Sequence, residues 1–189
     1  MSMTTAEPAA YPIHPGKVGV WWFLASEVMV FGGLIATYIV ARLGSPGWHA
    51  ESAHLSVPIA SLNTLILLTS SMTMVQAFGA ADRGDRAGAR RYLLLTILLG
   101  LCFLGVKGYE YTGKVLAGYF PASGLFWSFY YTMTGLHGLH VLAGVIVNFC
   151  LYVTMRHALR HPRRLEYAGL YWHFVDVVWI FLFPLLYLA

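Results

Sequence analysis

VGVWWFLASEVMVFGGLIATYIVA, residues 18–41, is a run of 24 residues with one acidic or basic side chain, Glu27. Coiled as an α-helix it extends about 36 Å at 1.5 Å per residue, enough to cross the ~30 Å hydrocarbon core of a bilayer. It shows no alternation at period two, which argues against a strand of a membrane β-barrel. Arg42 and the turn-forming Gly44-Ser45-Pro46-Gly47 close it. The run therefore reads as a transmembrane helix, and the rest of the chain repeats the pattern.

Ahead of it, MSMTTAEPAAYPIHPG (1–16) has no basic region and no small-residue cleavage site before an apolar core. This segment reads as irregular and not as a removable signal, so the first span is expected to be retained. Beyond it, further apolar runs occupy about 58–81, 92–112, 124–155 and 167–188. The second opens on Pro58, a residue suited to a first helical turn. The expected fold is an all-α membrane protein with five transmembrane helices, one domain over 17–189 behind the segment 1–16.

Composition agrees. Hydrophobic residues make up 58% of the 189 and charged residues 11%, against about 25% charged in soluble domains. Mean hydropathy is +0.64. A disordered tail, a disulfide scaffold and an ordinary soluble enzyme are excluded. The net charge of +4 comes from a lopsided distribution, because nine of the twelve Lys and Arg are expected on one side of the membrane. These are Lys17, Arg83, Arg86, Arg90, Arg91, Arg156, Arg160, Arg163 and Arg164, while Arg42 and Lys114 flank the opposite loops. By the positive-inside rule the N-terminus is cytoplasmic and the C-terminus lies on the outer side. No basic patch interleaves with exposed aromatics, so nucleic acid is not an expected partner. Cys102 and Cys150 stand in apolar runs without a CxxC and read as buried thiols.

An ionisable group at bilayer depth costs about 2.5–3.5 kcal/mol on insertion scales, yet several occur there. Glu27 lies near mid-depth of the first span. His137 and His140 stand at i,i+3 on the fourth, His173 and Asp176 at i,i+3 on the fifth, and Lys107 and Glu110 at i,i+3 near the outer end of the third. Internal pairing is one reading, with Glu27 turned toward a histidine or Asp176 toward His173. Haem or metal ligation by His137, His140 and His173 is another. It is weakened because only His173 faces the other two from a second helix, and no H-E-x-x-H run or Cys/His cluster is present. Proton handling by Glu27 is the third.

Gly32, Gly33 and Ala36, then Gly100, Gly105 and Gly108, then Gly135, Gly138 and Gly144 read as sites of close helix approach. Asn63, Thr64, Ser70, Ser71 and Thr73 read as hydrogen-bonding groups between helices. Trp21, Trp22, Tyr119, Phe126 and Trp127 stand near span ends and read as interfacial anchors.

Taken together, the motifs resemble a known family. ASEVMVFGG (25–33) resembles the Ser-Glu helix of subunit III of haem–copper oxidases, and SLNTLILLTSS (61–71) its Asn-Thr and Ser-Ser helix. GYEYTG (108–113), FYYTMTGLHGLHV (129–141) and YWHFVDVVWI (171–180) are similar to its Glu-Tyr, Thr-Gly-x-His-Gly-x-His and Tyr-Trp-His-Phe-x-Asp elements. The five come in the family's order and cover the chain from about residue 16 to its end. Larger members have seven spans, and this sequence resembles their last five, as in the five-helix bacterial form. The two-helix arm that walls the family's lipid-holding cleft then has no counterpart here.

The resemblance implies a subunit without redox centres in a proton-pumping aa3-type cytochrome c oxidase of the bacterial plasma membrane. Such a complex reduces O2 to water in aerobic respiratory electron transport. Haems and copper belong to partner subunits I and II. This chain would hold no metal or catalytic residue, would pack directly on subunit I among membrane lipids, and has bound phospholipid as a candidate ligand. Its implied role is to stabilise subunit I and support proton uptake. Glu27 matches the family's buried helix carboxylate, while Glu110, His137, His140, His173 and Asp176 match positions read as structural. The electron donor, cytochrome c or quinol, stays open, with cytochrome c favoured. An accessory subunit of nitric oxide reductase is an alternative, less favoured because related chains often carry Gly-Asp where Ser26-Glu27 stands here. A free-standing haem membrane protein is a further alternative, opposed by the few facing histidines.

Overall fold

The computed structural model describes residues 15–45, 47–155 and 163–188. The described residues are almost wholly helical: α1 (Pro15–Leu43), a short α2 (Trp48–Ser52), α3 (Val57–Asp82), α4 (Arg86–Leu116), α5 (Leu125–Val153) and α6 (Arg163–Phe183). Five helical stretches are long and apolar enough to cross a membrane, at Gly16–Leu43, Val57–Asp82, Arg86–Leu116, Leu125–Val153 and Arg163–Leu188. The segment 1–14 lies outside the described residues, as do Arg156 and Arg160, which the charge argument assigns to one loop.

Two helices begin earlier than their apolar runs. Asp85 caps α4 by accepting from the Gly88 amide at 2.9 Å, satisfying one of the free N–H groups of a first turn. Arg86, Arg90 and Arg91, expected in a loop, therefore occupy the first two turns of α4, and Arg90 stacks over the Tyr152 ring of α5 at 4.8 Å. Arg163 and Arg164 likewise open α6. Hydropathy marks where a helix can meet lipid, whereas its amphipathic ends are fixed by caps. The connection of α3 to α4 is only Arg83-Gly84-Asp85, with Gly84 at φ +76°, so the two helices pack side by side and antiparallel along their length. At its far end α6 changes pitch at Pro184, and Pro184–Leu188 winds as a π-helix. Proline removes an amide from the ladder, and a widened turn is one way to absorb that loss.

α3, α4, α5 and α6 form a ring in which each packs on its two neighbours, and α1 leans against the α5–α6 seam from outside. Trp172, Trp179, Phe103, Met133 and Leu93 are almost fully enclosed at the ring's centre. By contrast α1 turns Trp22, Met29 and Val40 outward. Tyr38 of α1 is buried against Trp48 of α2 and Phe129 of α5.

Among the glycines read as packing sites, Gly100 and Gly144 hold to that reading, because both press on the Trp172 ring. Gly32, Gly33, Gly105 and Gly108 have nothing within 4 Å of a would-be Cβ. Two further expectations are corrected. Cys102 and Cys150 are free thiols but exposed, since in a lipid-facing chain an apolar stretch has an outer face as apolar as its inner one. Phe126 and Trp127 are core residues, 2% and 1% exposed. They stand near a span end, but Trp48 and Tyr119 pack over them.

Candidate functional site

Glu27 and His140 meet across the α1–α5 contact. Glu27 Oε2 lies 3.0 Å from His140 Nε2, and both side chains keep about one-sixth of their surface open, 16% and 15%. The other ring nitrogen, Nδ1, is 2.8 Å from the Leu136 carbonyl oxygen, which only accepts, so Nδ1 carries hydrogen. Nε2 then either accepts from a protonated Glu27 or donates to its carboxylate. Both forms hold the same number of protons, and exchange between them is a shift along one hydrogen bond. Phe31 meets the imidazole edge-on at 5.2 Å, Tyr171 lies beside it, and the Tyr171 hydroxyl donates to the His140 carbonyl at 3.0 Å. Aromatic walls limit water around the pair and strengthen its electrostatic coupling.

The sequence-derived polar set otherwise divides among separate places. His173 Nδ1 is 2.5 Å from Ser71 Oγ of α3. Asp176 is 3% exposed and stands beside Ser71, and neither carboxylate oxygen has a hydrogen bond of good geometry. Asp176 does not turn to His173, the partner that the i,i+3 spacing predicts. Both residues address α3 instead. His137 is wholly enclosed, stacked on Trp179 at 5.2 Å and edge-on to Phe103 at 5.6 Å, with both ring nitrogens unpartnered. The three histidines therefore face three different surroundings. Among the described residues no group of three or more His, Cys, Asp and Glu gathers as a metal cage would require.

Near the far ends of α4 and α6 lies a buried ion pair. Lys107 Nζ is 2.9 Å from Glu110 Oε2 and 2.6 Å from the Tyr187 hydroxyl, which donates to Glu110 Oε1 at 2.8 Å. The rings of Tyr111, Tyr130, Trp179 and Tyr187 surround the ammonium at 4.9–5.7 Å. Sequence reading found Lys107 and Glu110 as a pair on one helix but missed Tyr187. That residue comes from the last turn of the chain, and no local spacing ties it to position 107. The hydroxyl and amide groups of α3 do bond across helices. Asn63 donates to the Phe103 carbonyl, Ser70 to that of Thr96, and Trp172 and Trp179 donate to Ser70 and Thr64.

A family model described as Cytochrome c oxidase subunit III matches residues 11–189. This chain belongs to that family. It is 40% identical over 177 residues to the cytochrome c oxidase subunit 3 of Corynebacterium diphtheriae, covering 90% of this chain and 86% of that one. The proteins of the same name from Thermostichus vulcanus and Bacillus sp. PS3 are 36% and 35% identical over 182 and 176 residues. They cover 93% and 90% of this chain, and 89% and 84% of their own lengths. Membership makes the chain a subunit of an oxidase complex, one that works with partner subunits. In this subunit III the signature elements converge unevenly: the Ser-Glu and His-Gly-x-His helices meet at Glu27 and His140, and the Glu-Tyr helix closes on the C-terminal turn.

Proposed function

We propose that this chain is the non-redox subunit III of a proton-pumping aa3-type cytochrome c oxidase in a bacterial plasma membrane. There it stabilises subunit I and supports proton uptake, while haems and copper reside in the partner subunits. Cytochrome c is preferred to quinol as donor because the relatives named above are cytochrome c oxidase subunits. The N-terminus is placed in the cytoplasm on the strength of the Arg-rich ends of α3, α4 and α6. Lys17 joins that end of the bundle through its 2.8 Å contact with Glu166.

The observation that carries the proton role is the Glu27–His140 pair. It is a carboxylate and an imidazole at membrane depth, coupled through one hydrogen bond and still in part open. Phospholipid is the proposed ligand of a groove of about 500 Å³ between α1, α5 and α6, lined by Phe23, Val147, Leu151 and Tyr171 with Arg164 among its walls. The apolar walls suit an acyl chain, and Arg164 suits a phosphate.

Turnover of the purified complex tests the reading. Glu27→Ala should leave haem content and initial rate near those of the parent and shorten the number of turnovers before activity is lost. Equal inactivation kinetics in variant and parent would refute the role for Glu27. Purification of the chain free of any haem–copper subunit I would refute the assignment as a whole.

A further inference from the structure

α6 carries a groove on each flank, and His173 lies in the wall of both. Toward α3 the groove is about 170 Å³, with Met74 and Phe78 facing Leu165 and Leu170. Toward α1 it is about 650 Å³, with Trp21, Ala25 and Met29 facing Leu170, Phe174 and Val177. The larger groove shares no lining residue with the one assigned to phospholipid. Apart from the Trp21 indole N–H, the His173 imidazole is the only hydrogen-bonding side chain among its lining residues. His173 Nδ1 is 2.5 Å from Ser71 Oγ of α3, so the ring is held from behind. Its Nε2 has no hydrogen bond to any of the described residues.

We propose that the α1–α6 groove binds an isoprenoid quinone, with one ring oxygen hydrogen-bonded to His173 Nε2 and the ring and first part of the tail against the apolar walls. Depth and length select this occupant. His173 stands ten residues beyond Arg163, about 15 Å along α6 and so near the middle of the ~30 Å hydrocarbon layer. A phospholipid keeps its polar head at the interface and brings only hydrocarbon to that depth, leaving the imidazole unanswered. A partner helix would need a channel of about 30 Å. This groove runs from Trp21 to Met29 on α1 and from Leu170 to Val177 on α6, about 12 Å and 10 Å. A flat apolar ring that carries its own oxygens meets both limits, and the rings of Trp21 and Phe174 offer it aromatic walls. The volume falls within the ~300–1,000 Å³ of small-molecule sites, which are mostly apolar with a few placed polar groups.

The serine behind the imidazole fits both forms of such a ligand, because a hydroxyl both donates and accepts. Toward a quinone, Ser71 O–H donates to Nδ1, the ring hydrogen sits on Nε2, and Nε2–H donates to the carbonyl oxygen. Toward a quinol, the ligand hydroxyl donates to a bare Nε2, and Nδ1–H donates to Ser71 Oγ. The histidine is neutral in either tautomer, which suits a site at membrane depth. The proposal concerns binding to this chain's own groove and is independent of which donor feeds the oxidase.

The test is photolabelling of the purified complex with a short-tailed azidoquinone, followed by mass spectrometry of this chain's peptides. Label is expected on the α1 peptide holding Trp21–Met29 and the α6 peptide holding Leu170–Val177, and an excess of unlabelled quinone should remove it. An alkyl azide of the same chain length serves as the control for plain lipid binding. His173→Phe should raise the quinone concentration needed for half-labelling about fivefold, the weight of one net hydrogen bond, and leave the alkyl azide unaffected. Ala25→Phe fills the groove from α1 while keeping His173 and Ser71, and should abolish quinone labelling. Should His173→Phe not assemble, Ala25→Phe decides alone. Absence of label from both peptides overturns the proposal, as does labelling that survives Ala25→Phe. Equal loss of quinone and alkyl azide in His173→Phe overturns it too, since the groove would then take any apolar chain. Because the readout is on this chain's own peptides, it stands whether or not subunit I co-purifies, so its failure is distinct from failure of the oxidase assignment.

Discussion

Trp172 lies with its six-membered ring against the backbone of Gly144: a Cβ at position 144 would fall 2.7 Å from ring atoms Cε3 and Cζ3. Gly100 stands on the other helix beside the same indole, at 2.7 Å from Cη2. One tryptophan of α6 is thus seated in a notch cut by two glycines, one each from α4 and α5. Gly100→Ala and Gly144→Ala should each cost about 1–3 kcal/mol by overpacking, read as a lower melting temperature of the detergent-held complex. Gly32→Ala and Gly33→Ala meet nothing within the subunit. Any loss they cause would come from a partner subunit and would disappear when the chain is melted alone.

The Lys107–Glu110 pair makes a different prediction, because both side chains are buried, 8% and 2% exposed. Glu110→Ala strands an ammonium in the core, at a cost of about 3–5 kcal/mol. The subunit should then be lost from the complex during detergent purification. Lys107→Met combined with Glu110→Leu removes both charges and should restore much of that retention, while the Tyr187 hydroxyl keeps only its long contact with Tyr130.

His140→Phe should reproduce the shortened turnover lifetime of Glu27→Ala, since each removes half of one proton-sharing unit. The double variant should be no worse than either single, the signature of residues acting through a common contact. Additive losses, measured as turnovers before inactivation, would mean that the two act separately.

Ser70 accepts from Trp172 Nε1 at 3.1 Å and donates to the Thr96 carbonyl at 3.2 Å. Ser70→Ala leaves a buried indole N–H without its acceptor and should cost about 1 kcal/mol, within the range for hydrogen bonds between membrane helices. Thr69→Ala is the control. Its hydroxyl turns back to the Leu65 carbonyl of its own helix at 2.8 Å on the lipid-facing side, and melting should not move.

The number of helices and the polar groups between them were legible because both are local properties. An apolar run of membrane length has few alternative folds, and a serine or asparagine inside it must find a partner. Which face a residue occupies was less legible. Cys102 and Cys150 look like core residues in an apolar stretch, but the stretch is apolar all round, so the period that marks the inside of a soluble helix is absent. Partner choice was legible for Glu27, where few basic groups lie at similar depth. It was misread for Asp176, whose nearest polar neighbour in sequence, His173, engages the same serine from α3. Tyr187 and Lys107 stand 80 residues apart, and only the closed ring of helices brings them together.

The position of α1 outside the ring has a consequence for biosynthesis. Its polar ties reach far ahead in the chain: Lys17 to Glu166, Glu27 to His140 and Tyr38 to the Leu185 carbonyl, across 149, 113 and 147 residues. α1 leaves the ribosome ahead of the helices it docks on, and of the five described spans it is the last that can dock. Until α5 and α6 are inserted, Glu27 waits in the bilayer without its histidine, while α3 and α4 pair at once through their three-residue turn. Assembly of this subunit thus runs against the order of translation. The interval before the final span arrives is when an insertion chaperone or a neighbouring chain has access to the unprotected carboxyl group.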